Sequence, residues 1–230
     1  MSLAVKIIIT ALCGYVVGCI SFARILSRIK KKDISKQGSG NPGTMNMLRT
    51  FGFLPALLNL LLEAGKGAIA GVIGFFVFGG YGGDPSMTLL GIYIGGVASV
   101  LGHNFPVIYK FKGGKGVACL FGMFCVVNPI LVAICFVVGF VYLYFFDYGV
   151  AASFLFLTTC TVYEMIVASG NIPVVCLLAF VYFLTVLMHR KNIMRLLTGT
   201  EGKVDLKGNL RKMIAKISGR KQKEKKNEMS

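Results

Sequence analysis

The sequence predicts an all-α polytopic membrane protein with seven transmembrane helices, its N-terminus outside and its C-terminus in the cytoplasm. Three observations lead there. Apolar runs recur along residues 3–188, most of them near the roughly twenty residues that cross hydrocarbon as a helix. Only 15% of the residues are charged and 55% are apolar, whereas soluble domains carry about 25% charged residues. The basic excess, 25 Lys and Arg against 9 Asp and Glu, is gathered at 24–36, at 110–115 and from 190 onward. That clustering is the bias of cytoplasmic loops.

Residues 4–29 are long enough for one span, read as a retained first helix because no small-x-small cleavage site follows the apolar stretch. The basic run after it places its end inside. Residues 51–80 read as a second, kinked span, interrupted by Glu63, Lys66 and several glycines. Residues 81–86 form a Gly/Asp/Pro turn without basic residues, as an outer loop requires. Residues 87–101 return to the second basic cluster. The apolar stretch 117–146 is broken by Asn128-Pro129. Proline removes a helical hydrogen bond there, so the stretch divides into a short fourth span and a fifth. Residues 150–169 and 172–188 supply the last two, joined by Gly170-Asn171. Seven crossings put all three basic clusters on one side. Six would strand the most basic part opposite the other two. Residues 1–202 are therefore expected to form the membrane domain. Residues 203–230 form a tail with ten Lys and Arg against three acidic residues. Leu206, Leu210, Met213, Ile214 and Ile217 recur in that tail at helical spacing, consistent with a surface helix on anionic lipid or, after Gly219, with a disordered solvated end.

Composition excludes several functions. The seven cysteines lie in or beside apolar segments, and none forms a C-x-x-C pair or stands near a histidine at metal-ligand spacing. Neither a disulfide frame nor a zinc site is indicated. No carboxylate cluster is available to hold a hard cation, so no metal and no cofactor is expected. Nor does a soluble basic fold exist to read nucleic acid.

Three polar clusters interrupt the apolar sequence. In the first, residues 38–49 read G-S-G-N-P-G-T-M-N-M-L-R. Such a loop offers backbone N–H groups at Gly38 and Gly40, the Ser39 hydroxyl, the Asn41 and Asn46 amides, and the Arg49 fork, all suited to phosphate. It is not a Walker A loop. The second joins G-H-N-F-P-V at 102–107 to F-K-G-G-K-G-V-A at 111–118. There Lys112 and Lys115 flank Gly113 and Gly114 at a helix start, a place that attracts anions. The third, residues 189–201, reads H-R-K-N-I-M-R-L-L-T-G-T-E. His189 and Asn192 are three apart and share a helix face. Taken alone, each of the first two loops is equally consistent with an ordinary interhelical turn whose lysines set topology, and His103 with a hydrogen-bonded structural residue.

Together, in this order and over almost the whole chain, the clusters resemble the acyl-phosphate:glycerol-3-phosphate acyltransferases of bacterial membranes, the PlsY family. Glu63-Ala64-Gly65-Lys66-Gly67 also looks like the family's acidic-x-x-Lys-Gly element. Thr44, Met45 and Cys119 depart from the usual pattern. The resemblance implies transfer of a fatty acyl group from acyl phosphate to the sn-1 hydroxyl of glycerol 3-phosphate, giving lysophosphatidate and phosphate, in a bacterial cell membrane. The partners are then these two substrates and membrane lipid, with a monomer expected. It implies that Ser39 and the backbone of Gly38 and Gly40 hold one phosphate, with Asn41 and Asn46 alongside. Arg49 and Lys115 would neutralise phosphate charge. Lys112, Gly113 and Gly114 would help bind glycerol 3-phosphate, with His103 near by. His189 and Asn192 would orient phosphate or acyl oxygens, and Glu201 would partner a site lysine or arginine.

No H-x-x-x-x-D pair exists, because Ile108 and Met194 stand where the aspartate would. The family resemblance implies that the acceptor's own phosphate takes the proton, with His189 as the rival base. The alternative of another class is a membrane anion or phosphate transporter, in which Glu63 and Lys66 would mark a pathway.

Overall fold

The computed structural model describes the backbone of residues 1–228 and the side chains of residues 1–218. Every long element among them is helical. Helices α1 (Leu3–Cys19) and α2 (Phe22–Ile29) make the first passage; α3 (Thr44–Phe51) is short and amphipathic. Long helices α4 (Phe53–Val77) and α5 (Pro85–Asn104) follow, then α6 (Val117–Val127), α7 (Pro129–Phe146), α8 (Gly149–Val167) and α9 (Ile172–Met188). Helices α10 (Arg190–Leu197) and α11 (Leu206–Glu228) close the chain. Asp84, Asn128 and Asn171 each cap a helix that has proline in its first turn, which satisfies N–H groups a helix start leaves open.

Among the described residues, five stretches are long and apolar enough to cross a membrane: Leu3–Ile29, Phe53–Val77, Pro85–Tyr109, Pro129–Phe146 and Gly149–Val167. A sixth appears if α9 and α10, bent by 58°, count as one. Helix α6 has 11 residues. At 1.5 Å per residue it spans about 16 Å, roughly half of the hydrocarbon. It packs against α4, α5 and α7 instead of crossing alone.

The expected kink falls in a different span. Helix α4 is continuous over 25 residues, whereas the first passage, expected as one helix, breaks at Ile20-Ser21, where Ile20 is extended. The break exposes backbone groups, and α4 supplies their partners. Lys66 donates to the carbonyls of Gly18 and Ile20, and the Phe22 N–H donates to Glu63 Oε1 at 3.0 Å. Lys66 Nζ lies 2.6 Å from Glu63 Oε2. Both side chains are almost fully buried. In lipid no water is present to satisfy freed backbone groups, so a buried ion pair stabilises the break.

Small residues allow these helices to close up. A methyl group built on Gly122 of α6 would fall on the carbonyl oxygen of Ala64, and one on Gly67 would fall on that of Cys119. Backbone approach of this kind replaces the missing hydrophobic drive in membranes. We expect Gly122→Ala to lower the melting temperature by several degrees, roughly the effect of 1–3 kcal/mol of overpacking. Gly170→Ala, which meets nothing within 4 Å, serves as the control. Equal melting of the two variants would remove this contact as a determinant.

A main core centred on Tyr93, Met123, Phe124 and Leu157 joins α5, α6 and α8. A second cluster of Ile34, Met47, Leu48, Leu143, Val204 and Leu206 lies where the interhelical loops gather. Polar bonds tie that end together: Arg24 to the Lys112 carbonyl, Arg49 to the Gly202 carbonyl, and the Val204 N–H to the Asp147 carbonyl.

Candidate active site

A cavity of about 230 Å³ opens at this end of the bundle. Its wall has two chemical halves. Ser39, Arg49, Lys115, His189, Asn192 and Glu201 make one; Leu57 and Leu60 of α4, Phe121 of α6, Phe136 and Phe140 of α7 and Phe156 of α8 make the other. All three polar clusters of the sequence therefore contribute to one cavity.

The first loop is shaped by its glycines and by Asn46. Gly38 and Gly40 adopt φ of +54° and +71°, the left-handed region that suits glycine. Asn46 is buried; its Oδ1 accepts the Ser39 N–H at 3.0 Å, and its Nδ2 donates to the Gln37 carbonyl at 2.9 Å. The Gly40 N–H donates to the Gln37 carbonyl as well. The Ser39 and Gly40 amides are thus spent within the loop, and Gly38 and Gly40 lie outside the cavity wall. What the loop presents to the cavity is Ser39, Asn41 and the start of α3 at Gly43, Thr44, Met45 and Asn46. A helix start favours negative charge. Thr44 Oγ1 accepts from Asn59 Nδ2 at 3.1 Å.

The second cluster divides similarly. Gly113 and Gly114 pack on His103, where a methyl on either would overlap its backbone or ring, and the Gly114 N–H donates to the His103 carbonyl. Lys112 is exposed, with its carbonyl held by Arg24 at 2.7 Å. These three residues also lie outside the cavity wall, because the loop wraps His103 and reaches the cavity only from Lys115 onward. His103 lines the cavity but is buried, with Nδ1 at 3.0 Å from Glu63 Oε2 and 3.1 Å from Lys66 Nζ. Glu63, His103 and Cys119 bring three potential metal-ligand atoms within 4.8 Å of one another. The Lys66 ammonium already supplies the positive charge there, so the set does not fit a metal ion.

The third cluster forms a network. Lys115 donates to Asn192 Oδ1. Asn192 Nδ2 donates to Glu201 Oε1 at 2.9 Å, and Arg195 Nε to Glu201 Oε2 at 2.7 Å. The Arg49 guanidinium lies 3.8 Å from Glu201 and donates to the Gly202 carbonyl at 2.6 Å. One buried carboxylate thus orients the amide that meets Lys115 and holds two arginines in place. His189 is buried, with Nδ1 at 2.8 Å from the Thr185 carbonyl and its ring edge-on to Phe154. A carbonyl accepts only, so Nδ1 carries the proton and Nε2 is the acceptor of the neutral ring.

Anionic recognition at one end and an apolar slot at the other describe a site for an amphiphile with a phosphate. The family model for glycerol-3-phosphate acyltransferases matches residues 8–199. The chain belongs to that family.

Relatives support the assignment along the whole bundle. The glycerol-3-phosphate acyltransferase of Thermoanaerobacter pseudethanolicus is 34% identical over 205 residues, 89% of this chain and 98% of that protein. That of Halalkalibacterium halodurans is 36% identical over 84% of this chain and 93% of its own. The crystal structure of PlsY (YgiH), an integral membrane glycerol 3-phosphate acyltransferase, matches in its glycerol 3-phosphate form with a TM-score of 0.75 at 31% identity, covering 86% of this chain and 94% of that one. Its lysophosphatidic acid form matches equally, at 30% identity over 89% and 98%. The acyltransferase is accordingly an all-helical integral membrane enzyme.

The sequence calls for an apolar groove between helices to hold the donor's tail, but it names none of the residues in the apolar half of this acyltransferase site. Phe136 and Phe140 sit in a uniformly apolar run, where nothing marks one face as a cavity wall. Leu206, from the tail, also lines it. Its helical spacing was visible; its position beside α4 and α7 was not.

Burial pulls the Lys115 ammonium down from the usual lysine range to about 8; Glu201 acts in the opposite direction, and Arg195 and Arg49 add to the fall. The cationic form is therefore lost as pH rises through about 8. We expect kcat/KM, which reports the unliganded enzyme, to decline above that pH. Bound phosphate favours the cation, so the limb in kcat lies at higher pH. Lys115→Arg, with a guanidinium that stays protonated, is expected to abolish the decline. A pH profile unchanged by that substitution would assign the limb elsewhere.

Proposed function

We propose that the protein transfers a fatty acyl group from acyl phosphate to the sn-1 hydroxyl of glycerol 3-phosphate, giving lysophosphatidate and inorganic phosphate. One observation carries this: a single cavity joins the Arg49 and Lys115 cations to a slot lined by α4, α6, α7 and α8. The slot suits the donor's tail and the cations suit its phosphate. The acceptor's hydroxyl oxygen attacks the acyl carbon. The carbon–oxygen bond to phosphate then breaks, and phosphate leaves with the bonding pair. Arg49 and Lys115 stabilise the charge that develops there. The proton passes to a phosphate oxygen of the acceptor, because acyl phosphate is already activated and positioning supplies the rest. Ser39, His189 and Asn192 orient the reacting groups.

In this reading residues 1–202 form the catalytic domain of a monomer in a bacterial cell membrane, with the N-terminus outside. In it α6, about half of the hydrocarbon in length, is an incomplete fourth of seven passages and α7 the fifth, and residues 203–230 are cytoplasmic. The anion-transporter reading loses its motivation, since Glu63 and Lys66 hold the backbone of the broken first passage.

The test is phosphate release from palmitoyl phosphate by purified protein in lipid, with and without glycerol 3-phosphate. Release that needs the acceptor, yields lysophosphatidate and ignores chelator is expected. Absence of acceptor-dependent release from folded protein would overturn the proposal. His189→Gln separates the two proton routes. It is expected to raise KM severalfold and keep kcat within about tenfold, less than the loss typical of a missing general base. A loss of kcat beyond about a hundredfold would make His189 the base.

A further inference from the structure

Helix α11 lies beyond the residues that the family model matches, and it is anchored to the bundle. The Leu206 N–H donates to Asp147 Oδ1 at 2.9 Å, and the Leu206 side chain is buried in the cavity wall. Asp147 ends α7, whose last turns carry exposed Tyr144, Phe145 and Phe146. An exposed tyrosine at the end of a membrane helix prefers the headgroup level. Lys207 Nζ stands 4.9 Å from the Tyr144 ring and 5.5 Å from that of Phe145. The start of α11 is thus fixed at the bilayer surface.

From there its residues sort by face. Leu206, Leu210, Met213, Ile214 and Ile217 fall on one stripe at helical spacing. The stripe is buried at Leu206 and open at Ile214 and Ile217, which are 58% and 46% exposed. Lys207 and Arg211 flank it on one side, Lys212 and Lys216 on the other, and no acidic residue occurs in 206–218. We propose that α11 lies in the bilayer surface and binds anionic phospholipid headgroups beside the mouth of the cavity. A stripe that continues from a bundle-packed end to two open isoleucines requires an apolar neighbour. Cations along both edges require anions at the same height, and lysine and arginine stems reach them from a helix lying flat. An anionic bilayer surface supplies both, and the aromatic end of α7 holds the helix there. This inference goes beyond the catalytic reading and does not depend on it.

The test is amide hydrogen exchange of the full chain in nanodiscs of phosphatidylcholine, with and without one-third phosphatidylglycerol. Amides of 210–218 are expected to exchange roughly tenfold more slowly in the anionic discs, and about 0.5 M salt is expected to erase most of the difference. In Arg211→Gln/Lys212→Gln/Lys216→Gln the difference is expected to vanish, while acyltransferase activity in neutral discs stays at the unsubstituted level and reports an intact fold. Equal exchange in the two lipids would overturn the proposal. So would a difference that survives the triple substitution, or protection that appears in neutral discs only on adding a soluble protein fraction.

Discussion

Lys115→Ala is expected to lower kcat/KM by two to three orders of magnitude, the loss typical when one oriented charge or donor is removed from a site where negative charge develops. The expectation rests on placement. Lys115 follows a loop wrapped on His103, stands at the start of α6, and meets an Asn192 amide whose other end is fixed by Glu201. Its ammonium is thus aimed before substrate arrives and pays little reorganisation on reaction. Removing it also leaves the Asn192 carbonyl without that donor. Asn192→Ala is therefore expected to lose less than Lys115→Ala, and the double variant about as much as Lys115→Ala alone, since groups acting as a unit are not additive. Initial rates of phosphate release in lipid measure all three. A fall of less than tenfold for Lys115→Ala, or a double variant equal to the product of the two singles, would remove this unit from the mechanism.

Glu63→Ala is expected to be the most destabilising single change in the bundle. Glu63 and Lys66 are almost fully buried, and the Phe22 N–H depends on the carboxylate. Removing one member of a buried pair leaves the other charge uncompensated, at about 3–5 kcal/mol. For a chain of this size that is roughly a 10 °C fall in melting temperature. Glu63→Gln/Lys66→Met removes both charges and keeps an acceptor for Phe22, so it is expected to melt well above Glu63→Ala. Circular dichroism melting in matched detergent compares them. A double variant less stable than the single one would show that Lys66 donation to the Gly18 and Ile20 carbonyls outweighs the cost of its uncompensated charge.

The bundle was largely legible because its signals are local. Apolar runs, Asp84-Pro85, Asn128-Pro129 and the placement of lysines each act within a few residues. Convergence of the three clusters was legible as well, since their residue types share a chemistry. What stayed hidden depends on distant neighbours. Nothing in the hydropathy of residues 4–29 marks a break at Ile20-Ser21, because the groups that stabilise it lie in α4. Glycine runs suggested amides turned toward phosphate. The structure uses Gly113 and Gly114 to clear His103, and gives the Ser39 and Gly40 amides to Asn46 and Gln37. Composition shows that a loop is glycine-rich, not which neighbour needs the space.

The break in the first passage also bears on how the chain is made. Residues 1–29 reach the membrane before Glu63 and Lys66 leave the ribosome. Until α4 emerges, the carbonyls of Gly18 and Ile20 and the N–H of Phe22 lack the partners they have in the finished protein, and hydrocarbon offers none. During synthesis the first passage therefore either stays unbroken or remains near water and its insertion machinery. It takes its final shape only when α4 reaches it, so the break is completed as a step of membrane insertion.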